Sequence, residues 1–252
     1  MREDGQGRCV ALFDMDGTLL PWDTQYVFSC FVLRLHPWRR LLMLFFLLCI
    51  PLYALKIWDE NRMKRAYLIY LWGLPAGKVR EYGQRFASLA QDWIYPELNK
   101  RLQEHRAKGD YCMMVSASPS FYVEPLAKLL GFDGALGTDV LLLPHMPAMP
   151  VLLHGNNKGC VKVERLRAQG VLPKCGVLES SIAYSDSAAD IPMLCACRKR
   201  VLINPSRSLR QDKRLMDAEC LYPPKPWKGK MDKIWNIFLF AAGLAKVDHK
   251  NQ

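Results

Sequence analysis

The chain has 252 residues and a mass of 28.9 kDa, and half of its residues are hydrophobic, which is enough for one large domain or for a core with a smaller inserted one. A formal net charge of +11 and a pI of about 9.3 favour anionic partners: nucleic acid, anionic lipid headgroups or phosphorylated substrates. Nine cysteines without a CxxC pair, and no signal peptide ahead of Asp14, argue against a disulfide framework or a zinc knuckle and for a reducing compartment.

The first element is a short apolar run, residues 9–13, which reads as a buried strand driven directly into Asp14 and Asp16. Residues 24–105 offer no comparable strand and read as helices over 24–35, 41–55, 59–72, 78–93 and 96–107. A second strand, Tyr111 to Val115, is followed by Ser116-Ala117-Ser118, and Pro119 opens a helix that runs to Leu130 ahead of Gly131. Residues 139–154 hold two apolar pieces around a proline-rich turn, a hairpin pattern. A helix from about Lys158 to Arg167, a strand Ser181 to Tyr184, a helix from about Ile191 to Cys197 and a strand Val201 to Ile203 follow. Alternating strands and helices predict an α/β fold with a parallel, doubly wound sheet, Rossmann-like and interrupted after its first strand by a helical insertion.

In open α/β sheets, ligands bind outside the carboxyl ends of the strands. Asp14 and Asp16, Ser116, and Asp186 with Asp190 all stand just past such ends, far apart in sequence but on one edge of this topology. Two carboxylates one residue apart can divide labour, one attacking phosphorus and the other, held protonated, serving the leaving oxygen and then water. Two anions approaching each other call for a divalent cation. Mg²⁺ suits hard oxygen ligands, and Asp186 supplies a further carboxylate for it. Ser116 and the N–H groups at the start of the next helix can hold phosphate oxygens, and Lys158 can neutralise the nucleophile and the transferring group. Blander roles exist: Asp190 as the cap of the Ile191 helix, Ser116 as a helix cap, Lys158 as a solvated lysine. The histidines show no ligand spacing.

These residues carry a resemblance. Asp14-Met15-Asp16-Gly17-Thr18-Leu19 resembles motif I of the haloacid dehalogenase-like (HAD) phosphohydrolase superfamily, and MMVSASP resembles its motif II. Lys158 in NNKGCVKVERLR resembles the motif III lysine and YSDSAADIPML motif IV. VLINPSRSLR is similar to the segment that follows in phosphoserine-phosphatase-like members of subfamily IB. The resemblance implies Asp14 as nucleophile forming an aspartyl-phosphate and Asp16 as general acid/base. It implies Mg²⁺ held by the Asp14 side chain, the Asp16 carbonyl and Asp186, with Asp190 behind them and Ser116 and Lys158 on phosphate. One departure stands out: Ser185 and Ser187 flank Asp186 where soluble relatives carry glycines.

The expected division is a catalytic core of residues 1–20 plus 106–252 and a helical cap of residues 21–105. Within the cap, residues 41–55 carry no charge. As a helix they measure roughly 22 Å, short of a hydrocarbon core of roughly 30 Å. A single crossing would part Asp14 from Ser116, Lys158 and Asp186, so the run is expected to re-enter, lie in the interface or form a shallow hairpin. Basic residues on both flanks (Arg39, Arg40, Lys56, Arg62, Lys64, Arg65) with Trp38 and Trp58 favour the cytoplasmic face of a bacterial inner membrane. A weaker second contact is WNIFLFAAGLAKV within 226–247. The order of Arg, Pro, apolar run, basic residues and Leu-Trp-Gly resembles the phosphatidylglycerophosphatase C family, which implies a membrane lipid phosphomonoester such as phosphatidylglycerophosphate. Two alternatives stay open: a soluble, cytoplasmic small-molecule phosphatase of phosphoserine type, and a non-catalytic phospholipid-binding protein. The positive residues are dispersed and form no nucleic-acid motif, so no nucleic acid is expected as partner. The sequence does not fix the oligomeric state.

Overall fold

The structure, a computed structural model, describes residues 8–242. Six strands form one parallel sheet among the described residues: β1 Val10–Phe13, β2 Tyr111–Pro119, β3 Gly134–Thr138, β4 Leu178–Ser185, β5 Cys197–Ile203 and β6 Glu219–Leu221, in the order β3-β2-β1-β4-β5-β6. Ten α-helices accompany them among the described residues. Five lie between β1 and β2: α1 Thr24–Leu35, α2 Leu42–Ala54, α3 Glu60–Tyr67, α4 Ala76–Ala90 and α5 Pro96–Ala107. The others are α6 Ser120–Leu130, α7 Cys160–Ala168, α8 Ile191–Cys195, α9 Arg207–Arg210 and α10 Lys230–Ala242.

β1 is central, and its register sets the site. Phe13 lies opposite Met114 of β2 and Tyr184 of β4, so the three chains leave the sheet at one edge. A strand buried on both faces needs apolar side chains throughout, and the period of two divides them. Ala11, Phe13, Cys112 and Met114 join one apolar cluster, while Leu12, Met113 and Val115 join the other. The first cluster continues into the insertion through Phe28, Tyr70, Phe86 and Trp93, with Phe28 and Phe86 packed on Tyr122 of α6 at 5.0 and 5.2 Å between ring centroids. The second runs under α7 and α8 through Val163, Leu166 and Leu194.

Several elements depart from the sequence expectation. β2 does not end at Val115 but carries Ser116–Pro119 along, with a register shift against β3 between Val115 and Pro119. β3, GALGT, has two glycines in five residues and no long apolar run, so only its partner β2 makes it a strand. The expected hairpin at 139–154 reduces to a Val140–Leu152 bridge with two backbone bonds, Leu141 N–H to Val151 O and Leu153 N–H to Asp139 O, both 2.9 Å. The expected helix 59–72 is α3 followed by a 3₁₀ turn over Leu68–Leu71.

The apolar run gives helix α2, entered by a 3₁₀ turn over Pro37–Leu41. Little of α2 is covered: Cys49 is buried, whereas Leu48 is 75% and Leu44 55% exposed. The Pro37–Ala54 stretch is the one helical segment among the described residues long and apolar enough to cross a membrane by length and composition. The basic flanks are less free than expected. Arg39 is buried and donates to the Tyr70 and Trp72 carbonyls, Lys64 is buried, and Arg65 donates to the Pro150 carbonyl. Arg40, Lys56 and Arg62 remain exposed.

At the other end of the chain α10 lies against α1. Phe240 packs on Trp22 and Trp93, Trp227 packs on Trp22, and the Tyr26 hydroxyl donates to the Ile237 carbonyl at 3.2 Å. The WNIFLFAAGLAKV segment belongs to α10 as far as Ala242, and its last residues lie outside the described chain.

Candidate active site

Asp14 follows β1 directly, and its N–H donates to the Tyr184 carbonyl at 3.0 Å, so the last rung of the sheet fixes its backbone. Its side chain is buried. The chain then turns sharply at Gly17, where φ is +80° and the N–H donates to Leu20 O at 2.7 Å. A Cβ at this glycine would stand 2.2 Å from Asp186 Oδ2, so both the left-handed backbone and the approach of the second carboxylate need glycine here.

Thr18 ties the two distant carboxylates together. Its Oγ1 lies 3.1 Å from Asp14 Oδ2 and 3.2 Å from Asp186 Oδ1, and it accepts the Asp186 N–H at 2.9 Å. One hydroxyl proton serves one carboxylate at a time, so the other carboxylate oxygen faces Oγ1 without a hydrogen between them. Burial, opposed by the Thr18 bond and reinforced by Asp190 and Asp16, pushes Asp186 up to about 6.

Lys162, on the inner face of α7, is buried and makes an ion pair with Asp14 Oδ1 at 2.6 Å and with Asp190 at 2.9 Å. Burial works against its charge, but the two carboxylates outweigh it and hold the ammonium protonated. Burial pushes the Asp14 carboxyl up, Lys162 opposes, and Asp190 and Asp186 push it further. Asp190 also accepts from the Ser185 hydroxyl at 2.8 Å, and the same hydroxyl accepts the Ser187 N–H at 3.1 Å. Ser185, just before Asp186, thus takes part in holding this turn.

Asp16 is gripped separately. Its Oδ1 accepts the Thr24 N–H at 2.7 Å and its Oδ2 accepts from the Ser118 hydroxyl at 2.7 Å. Burial first, then Asp23, raises its carboxyl above the usual range, and the Ser118 and Thr24 bonds counteract. Ser116 is fully buried. Its hydroxyl is 3.5 Å from Asp16 Oδ2 and accepts the Ser118 N–H at 2.9 Å.

Asp14, Asp16, Ser116, Asp186 and Asp190 therefore lie together at the carboxyl edge of the sheet, while Lys158 is placed differently from its expected position. Lys158 precedes α7 on an exposed loop and pairs with Glu60 of α3 at 3.0 Å. The lysine against the Asp14 carboxylate is Lys162, one helical turn further on, because α7 begins at Cys160 and buries Lys162, Val163 and Leu166 on one face. That i, i+1, i+4 pattern was the available signal. Sequence reasoning also passed over Thr18 and Ser118 as site residues, and it counted Lys64 among the membrane-flanking cations. Lys64 instead reaches from α3 to the Ala117 carbonyl and to Asn156 Oδ1 at 2.9 Å, with burial lowering its ammonium to about 8.

The donor set fits a divalent cation. Asp14 and Asp190 share one buried ammonium and Asp186 has no cationic partner among the described residues, so the nest is short of positive charge, and the two carboxylates facing Thr18 are hard oxygen donors. No group of three His, Cys, Asp or Glu side chains forms a ready cage among the described residues. Above the nest opens a cleft of about 580 Å³ whose wall includes Asp16, Asp186, Tyr26, Tyr67, Lys158 and Lys233.

Comparison with known proteins bears on this arrangement. The haloacid dehalogenase-like hydrolase family matches residues 11–195. The chain is 30% identical over 160 residues to the inhibition of morphological differentiation protein of Streptomyces azureus, covering 61% of this chain and 56% of that protein. It is 26% identical over 212 residues to a Mycobacterium tuberculosis protein named as a probable phosphatase, covering 82% and 72%. The fold is similar to a phosphoserine phosphatase solved as a phospho-aspartyl intermediate analogue, with TM-score 0.54, 17% identity and coverage of 86% and 94%. With most of β1, the Asp14–Asp16 turn and the Lys162 and Asp186 nest inside the matched residues, the chain belongs to the haloacid dehalogenase-like hydrolase family.

Proposed function

We propose that the protein is a Mg²⁺-dependent phosphomonoesterase that works through an aspartyl-phosphate on Asp14. The observation that carries this reading is the juxtaposition of Asp14 with Lys162 at 2.6 Å and, through Thr18, with Asp186. The phosphatase name of one relative and the phospho-aspartyl analogue among the similar folds support it.

Asp14 attacks phosphorus in line, and the ester oxygen leaves as Asp16 gives it a proton. Asp16 then takes a proton from water, which hydrolyses the acyl-phosphate and frees Asp14. Thr24 and Ser118 hold the Asp16 carboxyl in one orientation through both steps, and its raised affinity for a proton suits the first. Lys162 balances charge on Asp14 and on the transferring group, the part assigned to Lys158 on sequence grounds. Ser116 lies beside Asp16 where a phosphate oxygen would approach. The cation would be held by the carboxylates of Asp14 and Asp186 and the Asp16 carbonyl, with Asp190 positioning from behind. It would supply charge neutralisation at the equatorial phosphate oxygens.

The finer reading is a lipid phosphomonoester met at a membrane surface, with residues 21–105 as the cap that selects it. The exposed apolar face of α2 favours this over a freely soluble substrate, since water-facing leucines on successive turns need a cover. Tyr67 on the cleft wall packs against Phe46 on the covered side of α2 at 5.0 Å, so α2 is anchored beside the cleft while its leucine face looks outward. The location that follows is the cytoplasmic face of the inner membrane, with α2 lying in the interface. Asp14 before α2 and Asp186 after it share one hydroxyl, a closeness that a single crossing would forbid.

The test is phosphate release by purified, detergent-solubilised protein from phosphatidylglycerophosphate, phosphatidate, phosphoserine and a nucleotide monophosphate, with and without EDTA. The reading expects release, its loss in EDTA and its return with Mg²⁺, and a preference for the lipids. No release from any of the four overturns it, and a preference for phosphoserine overturns the lipid part alone.

A further inference from the structure

Beyond residue 195 the chain leaves the region matched to the family, yet it returns to the cleft. α10 is moored on the insertion by Phe240 against Trp22 and Trp93 and by the Tyr26 hydroxyl on the Ile237 carbonyl. The mooring sets Lys233 in the wall of the same cleft as Asp16 and Asp186. The Lys233 ammonium stands 5.0 Å from the centroid of the Trp227 ring, and Trp227 in turn rests on Trp22. A cation over an aromatic face is held in place without being neutralised, so its charge stays available to an anion. Lys158, in the same wall, is held by Glu60 at 3.0 Å.

Neither lysine touches the carboxylate nest, where Lys162 already balances charge. Two exposed ammonium groups on the wall of a cleft whose floor binds phosphate address what lies beyond the scissile ester. We propose that Lys233, together with Lys158, forms an anion subsite for a second negative group on the leaving part of the substrate. The C-terminal helix thereby acts as a specificity element. This rests on the phosphomonoesterase reading and narrows its substrate to doubly anionic phosphomonoesters. A carboxylate or a phosphodiester would satisfy the two lysines equally.

The experiment compares kcat/KM of the full-length enzyme, K233M and K233E on three water-soluble probes. These are butyl phosphate with no second anion, 4-phosphooxybutanoate with a carboxylate, and glycerophosphoglycerol phosphate with a phosphodiester. In the wild type at least one doubly anionic probe is preferred over butyl phosphate. K233M lowers that preference roughly tenfold through KM, K233E lowers it further, and K233R restores it. Which of the two probes loses more identifies the second group. An unchanged ratio of doubly to singly anionic probes in K233M and K233E, with wild-type turnover intact, overturns the subsite and leaves the phosphatase reading standing. No turnover of any probe by the wild type overturns both.

Discussion

The floor of the cleft and helix α2 solve the problem of burial in opposite ways. On the floor, four carboxylates are wholly or half buried, and each is met by a partner within about 3 Å: Asp14 by Lys162, Asp16 by Ser118 and Thr24, Asp186 by Thr18, Asp190 by Lys162 and Ser185. On α2, leucines and a phenylalanine are exposed, with no cover among the described residues. Buried charge is stable only when it is paired, and removing one partner leaves an uncompensated charge. An apolar face costs its burial energy until something outside the molecule covers it. The floor is therefore complete apart from the positive charge it lacks, and α2 is complete only with a partner. Under the proposed function the first gap takes a cation and a phosphate, and the second a lipid surface.

The sharpest break is at the nucleophile. D14N keeps the size and the Thr18 contact but removes the attacking charge. Phosphate release should fall by roughly 10³-fold or more while the far-ultraviolet circular dichroism spectrum is retained. Next comes the contrast between two lysines four residues apart. K162M should cost about 10²- to 10³-fold in kcat and destabilise the fold, since two buried carboxylates lose their counter-charge. K158M should cost far less in kcat, because its exposed pair with Glu60 carries little energy. Equal losses would erase the distinction between floor and wall. G17A forces a Cβ against Asp186 in a left-handed turn and should lower stability by roughly 1–3 kcal/mol, read as a drop in thermal midpoint. The smallest effect on turnover is expected from α2. L44E/L48E should weaken binding to anionic vesicles by roughly tenfold in a flotation assay while leaving release from a soluble aryl phosphate near wild type. Equal losses in both assays would return α2 to a structural part.

The contrast also separates what was legible in the sequence from what was not. β1, the Asp14–Asp16 turn and the Asp186–Asp190 turn were readable because each is local: an apolar run, then polar residues whose spacing has one meaning at a strand end. The parallel α/β class followed from alternation, although the edge strands β3 and β6 went unread. Lys162 was missed because its significance is tertiary. The spacing between two lysines says nothing until the start of α7 is known, and Cys160, not Lys158, starts it. Thr18 and Ser118 were hidden for the same reason, since a hydroxyl in a turn becomes a tether only once the far strand arrives. Lys64 looked like one more flanking cation, and its burial depends on how α3 meets the end of β2. β3 has no intrinsic strand signal and is made by its neighbour. The apolar run was legible as a helix and, being free of charge on every face, as one that the insertion would not fully cover, and the exposure of Leu44 and Leu48 agrees with that.

The central claim is covalent transfer to Asp14, and it can be read directly. The enzyme is quenched in acid during turnover of a ³²P-labelled phosphomonoester, digested, and its labelled peptide identified. The account predicts an acid-stable, hydroxylamine-labile phosphate on the peptide that contains Asp14, absent from D14N. Label on another residue, or sustained turnover by D14N, would contradict it.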